Sequence, residues 1–177
     1  MNAMSEGPVQ VAILGDSVYL KPCGFATQCN CLAVPDFLDA MFRAGCKYAI
    51  FDLDQCGGMD STFLGVIAHA ASALPHRRGK TVAVVNANQR ALTQLQRVGL
   101  LPLVCLRQEK VETPGGLELQ DMSYFPFPKT PYERLERIRD LHQRLVHLNE
   151  GNRELFGPFL EMLEEELKRS REQGGKQ

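Results

Sequence analysis

The sequence lacks most of the features that would assign it quickly. Its charges nearly cancel, with 20 Lys and Arg against 21 Asp and Glu and a net charge of -1 over 177 residues. No basic run or stripe stands out, which argues against an electrostatic nucleic-acid binder. No apolar stretch approaches the roughly 20 residues of a membrane span. Residues 1–8 are short and polar without the apolar centre of a signal peptide, so a soluble, cytoplasmic protein is the expectation. The six cysteines contain no Cys-x-x-Cys, and His69, His76, His142 and His147 do not stand at ligand spacing from them. Reduced, mostly buried thiols are the expected state. Only the Cys29/Cys31 pair speaks for zinc, disulfides have less support still, and neither a metal nor a cofactor is expected. No internal repeat is apparent.

What is present is an alternation of strand and helix signals. Residues 9–14 and 17–21 read as strands around a Gly15-Asp16 turn, and residues 23–32 show no clear period. A helix follows from Pro35, with Phe37, Leu38, Met41, Phe42 and Ala44 on one face and Gly45 at its end. Residues 48–53 are almost wholly apolar, as in a strand buried on both faces. A loop with two glycines is expected over residues 55–60, then a helix over residues 61–74. Its face holds Phe63, Leu64, Ile67, Ala68, Ala71 and Leu74. A basic turn over residues 75–80 precedes a β-branched strand at residues 81–85. Asn86-Ala87-Asn88 caps a helix over residues 89–98 that ends at Gly99, and residues 101–106 read as the last strand.

The order β-β-α-β-α-β-α-β implies parallel βαβ units and an α/β fold, with helices on at least one sheet face. A domain of about 110 residues suffices to bury a core. Beyond it, residues 108–130 read as a loop or short hairpin and linker, rich in proline and glycine. An amphipathic helix starting at Pro131 carries Leu135, Ile138, Leu141, Leu145 and Leu148 on one stripe. Phe156, Phe159, Leu160, Leu163 and Leu167 mark another, around breaks at Gly151 and Gly157-Pro158, and residues 171–177 look frayed. Such stripes pack either on their own domain or on a partner, including a second copy in a homodimer.

Three places in the chain could carry chemistry. Gly79-Lys80-Thr81 has the look of a phosphate-binding loop, but Leu74 stands where its first glycine belongs, and it leads into a strand rather than a helix. Phe51-Asp52-Leu53-Asp54 has the Asp-x-Asp of haloacid-dehalogenase-type phosphatases, in which the first carboxylate attacks phosphorus beside Mg²⁺. That chemistry also needs a later acidic pair for the metal, and after Asp60 the next aspartate is Asp121. The third is Met59-Asp60-Ser61-Thr62-Phe63-Leu64-Gly65-Val66. Asp60 or Ser61 suits the N-cap of a helix. An exposed hydroxyl there also suits phosphorylation, which adds about -1.5 to -2 charges close to Asp52, Asp54 and Asp60. Capping and phosphorylation are compatible, so the residues alone leave both open.

The strand ending in hydrophobic-Asp, the short loop and Met-Asp-Ser-x-x-Leu-Gly-Val opening a helix resemble the STAS domain of bacterial anti-sigma factor antagonists. Thr81-Val82-Ala83-Val84-Val85-Asn86-Ala87-Asn88, then Leu92, Leu95 and Val98-Gly99-Leu100, look like that family's later strand, loop and helix. The resemblance covers residues 8–107. It implies a STAS-like mixed sheet of about five strands with helices packed on it, followed by linker residues 108–130 and a C-terminal helical extension over residues 131–171.

It further implies a non-enzymatic regulatory module that binds an anti-sigma-type serine/threonine kinase and so frees a sigma factor, until phosphorylation breaks the complex. Ser61 would be the phosphoacceptor, with Thr62 a neighbouring hydroxyl. Asp60 would orient the Ser61 hydroxyl or contact the kinase, and Asp54, Gly58, Met59 and Phe63 would join it at the partner surface. Thr62 and Phe63 replace the usual small residues after the serine, and residues 24–28 lack the family's common acidic residue. Two alternatives stand beside this reading: a constitutive scaffold of the same fold without a switch, and a metal-dependent phosphatase using Asp52 and Asp54.

Overall fold

The computed structural model describes residues 6–73 and 80–174. The N-terminal residues expected to be polar up to position 5, the helix end at Leu74, the phosphate-loop lookalike's Gly79 and the chain past residue 174 lie outside the described residues. Of the basic turn expected at residues 75–80, only Lys80 is described, and its ammonium donates to the Val104 carbonyl at 2.8 Å.

A two-residue turn at Gly15-Asp16, with Gly15 at φ +60°, joins β1 (Glu6–Leu14) to the antiparallel β2 (Ser17–Ala26). The next strands all run parallel to β2 or to one another: β3 (Tyr48–Asp52), β4 (Cys56–Met59), β5 (Val82–Val85) and β6 (Cys105–Arg107). With β7 (Gln120–Asp121) antiparallel to β1, the sheet has seven strands in the order β6-β5-β3-β2-β1-β7, and β4 pairs separately with β2. The expected α/β class and mixed sheet are found, with two strands beyond the expected five.

The helices are α1 (Gln28–Cys31), α2 (Val34–Arg43), α3 (Ser61–Ala73), α4 (Gln89–Arg97), α5 (Pro131–Val146) and α6 (Glu150–Gly174). Side chains from β1, β2, β3 and β5 and from the helices meet in one core that holds Val9, Val18, Leu20, Phe51, Phe63 and Leu95. Alternate residues of β2, Tyr19 and Lys21, are buried outside that cluster, as the two-residue period of a strand requires.

Several elements depart from expectation for local reasons. Residues 56–59 form a strand rather than a loop. Two glycines made them read as a turn, yet a Cβ on Gly58 would sit 2.7 Å from the Phe25 ring, so the close pairing with β2 needs that glycine. Residues 23–26 extend β2, and Thr27 caps α1 reciprocally with Asn30. The last strand is only Cys105–Arg107, because Leu101–Leu103, with Pro102 inside, forms a 3-10 turn. α6 runs unbroken through Gly157-Pro158 and on to Gly174, where a break and a frayed end were expected. An interior proline costs about 3 kcal/mol, whereas large apolar side chains contribute about 1.5–3 kcal/mol each on full burial. Phe156, Phe159, Leu160 and Leu163, all packed on the core, outweigh the defect.

The C-terminal stripes pack within this chain: Ile138, Leu141, Leu145, Leu163 and Leu167 are buried. The apolar faces considered for homodimerisation are thus used internally. α5 seats on α3, which is largely apolar and buried from Thr62 to Ala70, as a helix enclosed on most faces must be. The two helices pack tightly at Gly65, where an added Cβ would lie 2.8 Å from both the Cβ and the carbonyl oxygen of Leu141. Arg137 bonds Asp36 on α2 and Arg144 donates to Ser72 at 2.8 Å. At the α5–α6 corner, the buried Asn152 amide donates to the Val98 and Leu145 carbonyls. Residues 108–130 also lie against the core, through β7 and through Phe125 edge-on to Phe37 at 4.8 Å.

In an ordinary helix interior, glycine to alanine gains about 1 kcal/mol. Gly65→Ala is expected to reverse that sign and lose about 1–3 kcal/mol to overpacking, read as a lower denaturant midpoint. A stabilised variant would show that α5 does not press on α3.

Candidate functional site at the start of the third helix

Sheet register builds this site. β2 is long enough to pair with β3 through Ser17–Leu20 and with β4 through Gly24–Ala26. Ala26 is opposite Met59, so the starts of α1 and α3 lie side by side, and the Asp60 amide donates to the Ala26 carbonyl at 3.0 Å. Asp60 then serves both helices. Its Oδ1 accepts from the Phe63 amide at 2.9 Å, and its Oδ2 accepts from the Gln28 amide at 2.8 Å. It is the N-cap of α3, with its carboxylate spread over the positive ends of two helices.

Ser61 is the first residue of α3 and is half-buried. Its hydroxyl lies 2.8 Å from Nε2 of His142 on α5. His142 Nδ1 lies 2.8 Å from the Ile138 carbonyl, which can only accept, so the proton sits on Nδ1. Burial pushes the His142 imidazole below its usual value, against the opposing pull of the Ile138 bond and the Asp60 charge. The ring is therefore neutral near pH 7, and the Ser61 hydroxyl donates to Nε2. Phe156 and Phe159 meet the ring edge-on at 5.6 Å and 4.8 Å, and His142 is only 1% exposed.

The expected site residues divide sharply. Ser61 and Asp60 sit together at the helix start. The hydroxyl of Ser61 is held by His142, and both Asp60 oxygens are occupied by backbone amides. Thr62 is 3% exposed and Phe63 0%, and Met59 and Gly58 are buried as well. These four present no side chain to a partner or a kinase in this conformation. Phe63, expected at the partner surface, instead packs edge-on against Phe51 at 6.1 Å, because the third helical position points back to β3. Asp54 is exposed in the β3–β4 loop.

Asp52 belongs to a separate cluster. It is 1% exposed, and its carboxylate accepts from the Tyr19 hydroxyl, the Asn86 amide at 2.8 Å and the Asp54 backbone N–H at 3.0 Å, with the Lys21 ammonium 3.6 Å away. Burial would raise this carboxyl, but the hydrogen bonds from Tyr19, Asn86 and Asp54, helped by Lys21, hold it below its usual value. Burial and the bond to Asp52 push Tyr19 up to about 12. Thr113 accepts from Lys21 at 2.9 Å and covers the cluster from residues 108–130. An attacking carboxylate needs a lone pair facing its substrate, and Asp52 has both oxygens directed at protein donors. Among the described residues, no group of three or more His, Cys, Asp or Glu is arranged to hold a metal ion.

The residues that complete the site around Ser61 were not legible as functional in the sequence. His142 stands four positions after Ile138 within a leucine stripe, and a histidine in that place was the available signal. Nothing in the sequence pointed to Gln28.

No family model and no curated protein sequence matches the chain. Solved structures do. The anti-sigma factor antagonist SpoIIAA in its unphosphorylated form aligns with a TM-score of 0.50 and 16% identity, covering 57% of this chain and 89% of that one. The phosphorylated form of SpoIIAA, described as a Bacillus cell fate determinant, aligns with a TM-score of 0.47 and 16% identity, covering 57% and 92%. The fold is therefore shared with SpoIIAA, a STAS-like α/β module. At this identity the first likeness speaks for the fold alone. No helix among the described residues is long and apolar enough to cross a membrane.

Burial also holds the His69 imidazole below its usual value, although its contact with Asp39 opposes this. As pH falls through about 6.5, unfolded histidines take up protons that folded His69 and His142 resist. The stability they contribute is present above that pH and is lost on acidification towards their folded-state values. The urea midpoint is expected to fall between about pH 7 and about pH 5, with a shallower slope in His142→Asn. An unchanged slope in that variant would contradict a neutral, buried His142.

Proposed function

We propose that the chain is a regulatory protein-binding module of the anti-sigma factor antagonist kind, switched at Ser61 by a partner serine/threonine kinase. The observation that carries this reading is the position of Ser61. It is the first residue of α3, directly after an Asp60 that caps the helix, on the fold shared with SpoIIAA, and it is the one hydroxyl of the Ser61-Thr62 pair that is not buried. A phosphoryl group there adds about -1.5 to -2 charges beside Asp60. A partner packed on that surface would then face unpaired negative charge, whose desolvation weakens the complex. No catalytic role is assigned, because Asp52 is spent on Tyr19, Asn86 and Asp54.

A second reading is a constitutive scaffold of the same fold. It is favoured by the Ser61–His142 hydrogen bond, which gives the serine a structural task without any kinase.

Incubation with anti-sigma-type kinases from the same genome, followed by peptide mapping, separates the two readings. The switch predicts a single phosphate on Ser61, none on Thr62 and none in Ser61→Ala. It also predicts kinase binding about a hundredfold weaker in Ser61→Asp, the scale of a buried unpaired charge. Phosphate at another residue, or unchanged binding in Ser61→Asp, would remove Ser61 from the account.

A further inference from the structure

We infer that the α5–α6 hairpin is a removable cover over the start of α3, and that its docking and the phosphorylation of Ser61 exclude one another. The inference rests on the reading of Ser61 as a phosphoacceptor and adds how that residue is regulated. Ser61 and Gly65 are four residues apart and so lie on one face of α3, one turn from each other. α5 covers both, with His142 on the Ser61 hydroxyl and Leu141 against Gly65. Phe156 and Phe159 of α6 hold His142 in place from behind.

The hydroxyl proton of Ser61 is the one that His142 accepts. Phosphorylation replaces that proton with phosphorus and puts three anionic oxygens between α3 and α5. The lone pair of Nε2 would then face an anion, while burial among Phe156 and Phe159 resists the proton that would turn the repulsion into attraction. Asp60 adds a second negative charge, with both of its oxygens already committed. The hairpin therefore leaves, or the phosphate is not added. Because coupling between two events is reciprocal, a docked hairpin protects Ser61 to the same extent that phosphate displaces the hairpin.

What such a release uncovers is chemically definite. The Gly65 face of α3 becomes an apolar groove, and Ile138, Leu141 and Leu145 become an unpartnered stripe on α5. Besides its apolar packing, the hairpin is attached through Arg137 to Asp36, Arg144 to Ser72 and Asn152 to Val98. Phosphate at Ser61 acts on the contact between α3 and α5 and not on the strands, so the hairpin opens as a unit ahead of the sheet.

The test uses the full chain with phosphoserine installed at position 61 during synthesis, so it does not depend on any kinase modifying Ser61. Hydrogen exchange over Pro131–Val146 and Glu150–Gly174 is expected to accelerate roughly tenfold or more relative to the unmodified chain, the scale of a lost bond to a newly charged group. Exchange in β3 and β5 should stay unchanged. Equal protection of the hairpin in both chains would overturn the inference, and so would acceleration of the strands to the same degree. A second pair of chains tests the cover without phosphate. The thiol introduced by Ser61→Cys should be alkylated by iodoacetamide roughly tenfold faster when Gly65→Val is added, while buried Cys31 stays unlabelled. Equal alkylation rates, or labelling of Cys31, would also overturn it.

Discussion

The contact between α3 and α5 determines how the two C-terminal helices relate to the sheet. It has two parts, one turn apart. At Gly65 the absence of a side chain lets Leu141 approach the α3 backbone. At Ser61 a hydroxyl meets the only nitrogen of His142 that has a free lone pair. Close packing fixes the distance between the helices, and the hydrogen bond fixes their rotation and register. Both are short-range and depend on shape, so a change at either residue is felt at the other. α6 then has a seat on α5, and its aromatic residues close over the histidine.

Asp60 makes the same region stiff from the sheet side. Because β2 pairs successively with β3 and β4, two helix starts converge on one carboxylate, which satisfies an amide from each. The phosphoacceptor reading gains from this rigidity, since Ser61 is held at a defined place on a helix rather than on a free loop. It also acquires a constraint. A hydroxyl engaged by an imidazole of the same chain must give up that bond before it can enter another active site. The buried Asp52 cluster shows the opposite arrangement, with the carboxylate paired with Lys21, hydrogen-bonded by the neutral Tyr19 and closed off by Thr113.

Much of the fold was legible because periodicity carries it. The apolar run at residues 48–53, the face of α3, the Asn88 cap and the Pro131 helix start all appear where their patterns place them. β4 was hidden because its glycines serve close pairing with Phe25 rather than a turn. The continuity of α6 was hidden because packing against α5 outweighs a local breaker. The site was legible only by half. Asp60 and Ser61 announce a helix start, but the residue that holds Ser61 lies 81 positions away, and long-range pairing leaves no local trace in a single sequence. Phe63 illustrates the converse: its place beside the motif suggested a surface role, whereas the turn of the helix points it into the core.

The most direct test of the account is a double-mutant cycle on folding stability with Ser61→Ala, His142→Asn and the two combined. If the hydroxyl and the imidazole are bonded as described, the single losses will not add, and the coupling will be on the order of 1 kcal/mol. Losses that add to within about 0.3 kcal/mol would mean that Ser61 and His142 do not act together, and the link between the C-terminal helices and the start of α3 would fail.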